Sequence, residues 1–315
     1  MDKIKIVIIG GPTAGGKSEI AVRAAKLIGG EVISCDSMQI YKGMDIGTAK
    51  ITTDEMQGVP HYMIDIADPK QEFSVYNFSE MAEKIIKDVS SRGKIPVIVG
   101  GTGLYVESLI YPLSFIAEKD DDVRARLYDE YERLGADHLY ERLKQLDPDD
   151  AEKIHPNNVK RLLRALEIYE ISGKTKTECA ERVPNPAYDV GIFIINPPRE
   201  ELYAKIDARV EKMFSDGITD EVAGLLKNGA DWSNQSMQAI GYKEFRPYFE
   251  NAVPHFENAV PLDGVKEAIK RNTRRYAKRQ VTWFKRYSNA KWYGSSEKNK
   301  MLDDIKTFAE RKNDE

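Results

Sequence analysis

A short stretch near the amino end constrains the fold of this chain more than any other feature. Its residues are Gly11-Pro12-Thr13-Ala14-Gly15-Gly16-Lys17-Ser18. An apolar run at residues 4–9 precedes it, and a helix-like segment at residues 19–27 follows it. The spacing of the outer glycines, the lysine and the serine is that of a phosphate-binding loop between a strand and a helix.

Each part of this loop has a physical role in binding an anion. Glycines let the backbone turn tightly and direct successive N–H groups at phosphate oxygens, and the helix N-terminus adds partial positive charge. Lys17 supplies a mobile charge for the outer phosphate, and the Ser18 hydroxyl can hold Mg²⁺. The alternative is a glycine-rich turn that only begins a helix, and the complete, correctly flanked motif disfavours it.

Strand-like and helix-like segments alternate on both sides of a helical middle region. The strand candidates are residues 4–9, 31–35, 60–66, 96–99 and 188–195, and the helix candidates are 74–90, 199–214 and 218–227. This alternation predicts an α/β fold, a P-loop parallel sheet flanked by helices. Residues 118–182 are charged and have no strand candidate, so we interpret them as an all-helical insertion domain. Residues 1–117 and 183–315 would then form a discontinuous core with basic C-terminal helices.

Composition excludes several classes of protein. Of 315 residues, 41% are apolar and 31% charged, and no apolar run approaches the roughly 20 residues that span a bilayer. The chain enters its first strand directly, so we expect no secretory or transit segment and a cytoplasmic location. Cys35 and Cys179 lack metal-ligand spacing, and the four histidines are scattered, so no zinc site is expected.

Positive charge is local in a chain whose net charge is −4. Lys160, Arg161 and Arg164 share one side of a predicted helix, which favours either an ordinary solvated face or a phosphate-contacting patch. Residues 270–286 contain eight basic residues, no acidic residue, and the aromatic side chains of Tyr276, Trp283 and Phe284. Such segregation indicates contact with a polyanion, and it is also compatible with a helix that docks on the core.

Four further residues are candidates for chemistry, and the residues alone leave their roles open. Asp36 follows the second strand and suits a general base or a water-mediated Mg²⁺ ligand, but equally a turn or helix cap. Thr102 lies in Gly100-Gly101-Thr102-Gly103, which is a weak dinucleotide signature and either a site turn or a purely structural one. Arg124 and Arg209, each taken alone, favour solvated ion pairs.

Six motifs together resemble the bacterial tRNA dimethylallyltransferase (tRNA isopentenyltransferase) family. They run in family order across nearly the whole chain, at residues 11–18, 34–41, 100–105, 158–167, 238–244 and 279–286. The Gly-Pro-Thr-Ala before the loop lysine and the Asp-Ser-x-Gln-Ile-Tyr after the second strand are specific to this family. A repeated Phe-Glu-Asn-Ala-Val-Pro segment at 249–254 and 256–261 is not part of the resemblance and is assigned no chemistry.

The resemblance implies transfer of a dimethylallyl group from dimethylallyl diphosphate to N6 of the adenosine 3′ to the anticodon, in tRNAs reading U-initial codons. It implies Mg²⁺ at Ser18 and no ATP hydrolysis. The implied donor-binding residues are the loop, Gly11, Pro12, Thr13, Ala14, Gly15, Gly16, Lys17 and Ser18, with Arg209. The implied catalytic residues are Asp36, as the general base, and Thr102 and Arg124, which contact the tRNA close to the reacting adenine. The implied tRNA-contacting residues are Asp36, Ser37, Met38, Gln39, Thr102, Arg124, Lys160, Arg161, Leu162, Leu163 and Arg164.

Two other functions remain as alternatives at this point. A small-molecule or nucleotide kinase shares the loop and the sheet, but it would turn over ATP and would not need the basic C-terminal stretch. A non-catalytic RNA-binding module with a vestigial loop is disfavoured by the intact Lys17–Ser18 pair. We expect a monomer without an obligate protein partner.

Overall fold

A computed structural model describes residues 3–111, 120–178, 183–250 and 261–311. Cys179 and most of the repeated segment at 249–261 lie outside these ranges. Within them, no helix is long and apolar enough to cross a membrane. The chain divides into two compact units, one of Met1–Ile110 with Pro186–Glu315 and the other of Tyr111–Asn185. The sequence interpretation put these boundaries at 117/118 and 182/183.

In the described residues of the first unit, six strands form one sheet in which all neighbouring strands are parallel. The strand order is β3-β2-β4-β1-β5-β6. The strands are β1 Ile4–Gly10, β2 Gly30–Ser34, β3 His61–Tyr62, β4 Ile95–Gly100, β5 Tyr188–Ile195 and β6 Lys291–Tyr293. The predicted α/β fold with a parallel P-loop sheet is confirmed.

Twelve α-helices are described in these ranges. They are α1 Lys17–Ile28, α2 Thr53–Met56, α3 Val75–Ser91, α4 Gly103–Ile110, α5 Asp121–Leu146, α6 Pro148–Ala151, α7 Val159–Ser172, α8 Arg199–Ser215, α9 Ile218–Lys227, α10 Arg246–Glu250, α11 Leu262–Phe284 and α12 Lys298–Glu310. The first unit holds all of them except α5, α6 and α7.

The central strands are apolar because both faces of the sheet are covered. Residues 6–10 of β1 and 96–100 of β4 are buried in succession, as expected for parallel strands between helical layers. Burial of this kind contributes roughly 25 cal/mol per Å² of apolar surface. Parallel β1, β2 and β4 end at one edge of the sheet, so the loops that follow them come together there.

Two parts of the sheet differ from the sequence prediction. The candidate strand at 60–66 pairs only at His61–Tyr62, because Met63 and Asp65 adopt positive φ angles of 63° and 54° that end the extended conformation. Strand β6 and helix α12 were not predicted. Strand β6 extends the sheet beside β5, and Met301 and Ile305 of α12 join the core that α1 covers.

The second unit is entirely helical in its described residues and has its own core. Helix α5 is capped by the Asp120 carboxylate and is interrupted at Gly135, whose φ and ψ are 83° and 175°. Its apolar side chains pack with those of α7 around Leu139, Leu162 and Leu166.

Candidate active site

The phosphate-binding loop connects β1 to α1 in the strand–loop–helix context that its sequence predicts. Gly16 adopts a left-handed conformation, with φ of 86°, immediately before the first helical residue, Lys17. Gly11 has φ of 139°, and a Cβ there would overlap the carbonyl oxygen of Ile195. Glycine is therefore required at both positions, since a side chain would strain the turn or push the loop from the sheet.

Lys17 points its ammonium into the concave side of this loop. Its Nζ donates to the carbonyl oxygen of Pro12 at 2.7 Å. The side chain as a whole is only half-buried, but the ammonium is enclosed by protein, and this burial lowers the pKa of Lys17 to about 8. The charge of Asp36 opposes the shift and that of Arg209 adds to it. A bound anion would relieve this desolvated charge.

Arg209 reaches the same loop from α8. Its guanidinium donates to Thr13 Oγ1 at 3.2 Å and to the carbonyl oxygen of Thr48 at 2.9 Å. Burial lowers the pKa of Arg209, and the charge of Asp36 opposes that shift. An arginine stays charged in proteins, so two cations face the loop. The sequence alone favoured a solvated ion pair for Arg209, and the structure corrects this.

Asp36 and Thr102 come together where β2 and β4 end. Asp36 Oδ1 accepts from the backbone N–H of Met38 at 2.9 Å, which makes a local turn. Thr102 Oγ1 accepts from the backbone N–H of Ser37 at 3.1 Å. Gln39 lies in the same turn, and its Oε1 accepts from Ser34 Oγ at 3.3 Å. The turn therefore fixes the backbone that carries the Asp36 carboxylate.

Two cavities share these residues. The first has about 340 Å³ and is lined by loop residues from Thr13 to Ser18 and by Ser34, Asp36, Gln39, Lys205, Arg209 and Gln280, among others. The second has about 280 Å³ and includes apolar side chains of α8 and α11, with Tyr276 and Arg279. Thr13, Asp36, Thr48 and Arg209 border both cavities. The site is thus a polar chamber joined to a less polar one.

Sequence reasoning missed two residues that hold this site together. Gln280 of α11 accepts from the Thr13 N–H at 2.8 Å and donates to the Gly101 carbonyl at 3.0 Å. Glu221 of α9 accepts from the backbone N–H groups of Asp45, Ile46 and Gly47, and from the Tyr242 hydroxyl. A signal existed for Gln280, since it interrupts the apolar stripe of Ala277 and Phe284 with an amide.

Other predicted residues belong to the helical unit. Arg124 is exposed in the first turn of α5, and Lys160 and Arg161 are exposed on α7. Arg164 forms an ion pair of 2.9 Å with the buried Glu167. Leu162 is 0% exposed in the core of the unit, so its side chain does not present a surface to a ligand. Leu163 is half-buried.

The fold and the site define a P-loop α/β protein whose buried cations, Lys17 and Arg209, face an anion-binding loop beside a carboxylate. A family model described as IPP transferase matches residues 39–287. The chain belongs to this IPP transferase family, and the resemblance drawn from the motifs is confirmed.

Relatives with assigned names agree with this membership. The chain is 47% identical over 312 residues to a tRNA dimethylallyltransferase of Caldanaerobacter subterraneus subsp. tengcongensis, covering 98% of this chain and 95% of that protein. It is 46% identical over 290 residues to one of Anoxybacillus flavithermus, covering 92% and 90%. Because IPP transferases form a family of enzymes that is distinct from kinases, this membership disfavours both the kinase and the non-catalytic module.

Solved structures show the same fold. The full-length tRNA isopentenylpyrophosphate transferase of Bacillus halodurans superposes with a TM-score of 0.71 at 41% identity, covering 98% of this chain and 97% of that one. A eukaryotic dimethylallyltransferase, described as acting on tRNA, gives a TM-score of 0.76 at 33% identity, covering 90% and 70%.

Proposed function

We propose that this protein transfers a dimethylallyl group from dimethylallyl diphosphate to N6 of the adenosine on the 3′ side of the anticodon, in tRNAs that read codons beginning with U. The products are N6-isopentenyladenosine in the tRNA and diphosphate. Family membership supports this class of reaction. The observation that carries the proposal is the pair of cavities that meet at Thr13, Asp36 and Arg209.

The polar cavity is the donor's diphosphate site. The loop at residues 11–18 leads into α1, whose N-terminal N–H groups and helix terminus favour negative charge. Lys17 and Arg209 flank the position that the loop encloses. Both cations stabilise the charge that grows on the diphosphate as its bond to the allylic carbon breaks.

A divalent cation can occupy this cavity together with the substrate. Among the residues described, no cluster of three or more His, Cys, Asp or Glu side chains could hold a metal ion. The Ser18 hydroxyl borders the cavity at the end of the loop. We propose that Ser18 and the diphosphate oxygens hold Mg²⁺, which when bound neutralises part of the leaving group's charge.

The second cavity suits the allylic tail and a flat base. Ile206, Val210 and Met213 line it from α8, and Ile269 and Tyr276 line it from α11. An adenine can occupy this cavity only after leaving its stack in the anticodon loop, which costs a few kcal/mol. Contact with apolar and aromatic side chains offsets part of that cost.

Asp36 borders both cavities, so the nucleophile and the allylic carbon meet beside it. Its carboxylate accepts a hydrogen bond from N6 and takes the N6 proton as the N6–carbon bond forms. The electrons of the broken carbon–oxygen bond leave with the diphosphate. Thr102, held by the Ser37 N–H, contacts the tRNA next to the reacting base.

The tRNA itself needs a wider surface. We assign this contact to residues 36–39, to Arg124, Lys160, Arg161 and Arg164 of the helical unit, and to the exposed cations of α11. The protein would act as a monomer in the cytoplasm, with Mg²⁺ and without a protein partner.

The proposal is tested by incubating purified protein with unmodified tRNA, Mg²⁺ and either dimethylallyl diphosphate or ATP. Mass spectrometry of the digested nucleosides should detect N6-isopentenyladenosine only with the prenyl donor, and ATP should stay intact. A Lys17→Met variant is the matched control and should form product at least about 100-fold more slowly. Consumption of ATP without prenylated adenosine would overturn the proposal.

A further inference from the structure

A single buried amide links the two halves of the site. Gln280 lies on α11 and is 4% exposed. Its Oε1 accepts from the Thr13 N–H of the loop after β1, and its Nε2 donates to the Gly101 carbonyl of the turn after β4. The two contacts are 2.8 and 3.0 Å long. Both ends of one side chain are thus satisfied by backbone groups from different loops.

The absence of a side chain at Gly101 leaves the space that this amide occupies. A Cβ on Gly101 would overlap Gln280 Nε2 and lie 3.3 Å from the Gly11 carbonyl oxygen. The glycine therefore lets the amide enter between the loop and the turn. Burial raises the pKa of Tyr276, one helical turn earlier, to about 12, and its interactions with Thr102 and Gln280 oppose that shift. The phenol therefore stays protonated at neutral pH.

The two backbone groups that Gln280 contacts lie next to residues of the proposed chemistry. The Thr13 hydroxyl accepts a hydrogen bond from the Arg209 guanidinium at the donor's diphosphate site. Gly101 precedes Thr102, whose hydroxyl holds the Ser37 N–H beside Asp36. The Gln280 amide consequently joins the donor loop to the turn that carries Thr102, beyond the last paired residues of β1 and β4, Gly10 and Gly100.

We propose that Gln280 is a positioning residue for prenyl transfer, which fixes the donor loop against the turn that carries Thr102. This inference rests on the proposed function. Because Gln280 belongs to the basic helix α11, a displacement of that helix would move both loops together. A misplacement of about 1 Å at a reacting centre can cost about 100-fold in rate, so the amide can affect the rate through the two loops that it joins.

Two substitutions separate the two contacts. Gln280→Glu keeps an acceptor for the Thr13 N–H, but its carboxylate cannot donate to the Gly101 carbonyl and repels it. Gln280→Leu loses both contacts. Thr282→Ala, two residues along on the exposed side of the same helix, is the matched control. The measurements are kcat and KM for dimethylallyl diphosphate at saturating tRNA, together with the tRNA Kd and the Tm.

We expect Gln280→Glu to lower kcat at least about tenfold and to raise the donor KM as well, because its added negative charge borders the diphosphate cavity. Gln280→Leu should lower kcat and also raise the donor KM at least about tenfold. The tRNA Kd should stay within about twofold for both, and Thr282→Ala should match wild type in all values.

A purely structural role would lower the Tm and the active fraction, but the donor KM of the folded molecules would not change. Wild-type kcat and KM in Gln280→Glu, or an unchanged donor KM in Gln280→Leu, would overturn the inference. If Gln280→Leu does not fold, the nearly isosteric Gln280→Glu decides. Failure of the wild-type protein to prenylate tRNA would instead refute the proposed function.

Discussion

At the scale of single residues, the proposed function gives Asp36 two separable tasks. Its Oδ1 holds the turn through the Met38 N–H, and its charge is available to a substrate proton in the cavity. Asp36→Asn keeps an oxygen for the turn but cannot accept a proton. We expect kcat to fall by about 100- to 10,000-fold, with the tRNA Kd unchanged, in single-turnover assays.

Asp68 provides the control for Asp36, because its Oδ1 makes the same turn with the Lys70 N–H at 2.9 Å. Asp68→Asn should leave the rate at the wild-type value. If Asp36→Ala prenylates tRNA within a few-fold of the wild-type rate, the assignment of the base is wrong.

Lys17 gives the site a pH dependence whose sign follows from its burial. Because desolvation lowers the pKa to about 8, the ammonium is present below that pH and is lost as the pH rises through it. The kcat/KM for the donor, which reports the free enzyme, should therefore fall as the pH rises above about 8. In kcat itself the inflection should move to higher pH, since bound diphosphate favours the charged lysine.

The inflection should disappear in Lys17→Met, together with most of the donor affinity. Lys205 borders the same cavity but is exposed, so Lys205→Met is the control that keeps the inflection. A flat kcat/KM profile for the wild type between about pH 7 and 9 would contradict the role of a buried ammonium.

At the scale of elements, α9 holds the segment at residues 45–49 through one carboxylate. Glu221 accepts from the N–H groups of Asp45, Ile46 and Gly47, and Thr48 then offers its carbonyl to Arg209. Glu221→Ala should lower the free energy of unfolding by about 1–3 kcal/mol, since the N–H groups of half-buried Ile46 and buried Gly47 lose their acceptor. It should also raise the donor KM, because Arg209 loses its fixed partner.

Denaturant titration and donor kinetics measure these two effects. Asp220→Ala changes the adjacent, exposed carboxylate and is the control, with both values near those of the wild type. If Glu221→Ala is destabilised but its donor KM is unchanged, the inference that α9 positions Arg209 is wrong.

Helix α7 carries two kinds of basic residue. Lys160 and Arg161 are exposed, whereas Arg164 is committed to an ion pair with buried Glu167. Replacing Lys160 and Arg161 by Ala should weaken tRNA binding and reduce the slope of log K against log salt by about 1.5, without loss of stability. Arg164→Ala should also destabilise the helical unit, since Glu167 loses this partner.

Filter binding across a salt series measures the slope for these variants. Lys144→Ala removes an exposed lysine of α5 that is paired with Glu141, and serves as the control. An unchanged slope in the Lys160/Arg161 variant would indicate that these residues of α7 form an ordinary solvated surface without contact to tRNA.

At the scale of the whole molecule, charge is segregated in a chain of net charge −4. On α11, Lys270 is paired with Glu211 and Glu267, and Arg274 with Asp207. Arg271, Arg275 and Lys278 are exposed and form no ion pair within the described ranges. Long-range attraction of a polyanion to this protein must therefore depend on such unpaired cations.

Replacing Arg271, Arg275 and Lys278 by Gln should weaken tRNA binding at low salt and flatten its salt dependence by about 2 to 3 units of slope. Lys266→Gln, whose partner is Glu211, is the control and should change the slope little. If the triple variant binds tRNA with the wild-type slope, α11 is a docking helix without contact to RNA phosphates.

The sequence by itself determined what depends on neighbours along the chain. The spacing of Gly11, Gly16, Lys17 and Ser18 specifies a loop between a strand and a helix, because tight turning and helix initiation are local properties. The apolar runs at 4–9 and 96–99 likewise determined buried parallel strands. Asp36 and Thr102 were found because both lie at the ends of such strands.

The tertiary structure alone decided which distant side chains complete the site. Thr13 is 267 positions from Gln280 and 196 from Arg209, so no spacing rule connects them. Their contact exists because α8 and α11 pack against the loop edge of the sheet. In the sequence, Arg209 resembles any exposed arginine of a helix. Gln280 is seen only as a polar residue that interrupts an apolar stripe. Their burial in the folded protein identifies them as residues of the site, since a cation or an amide removed from water is stable only beside hydrogen-bonding or charged partners.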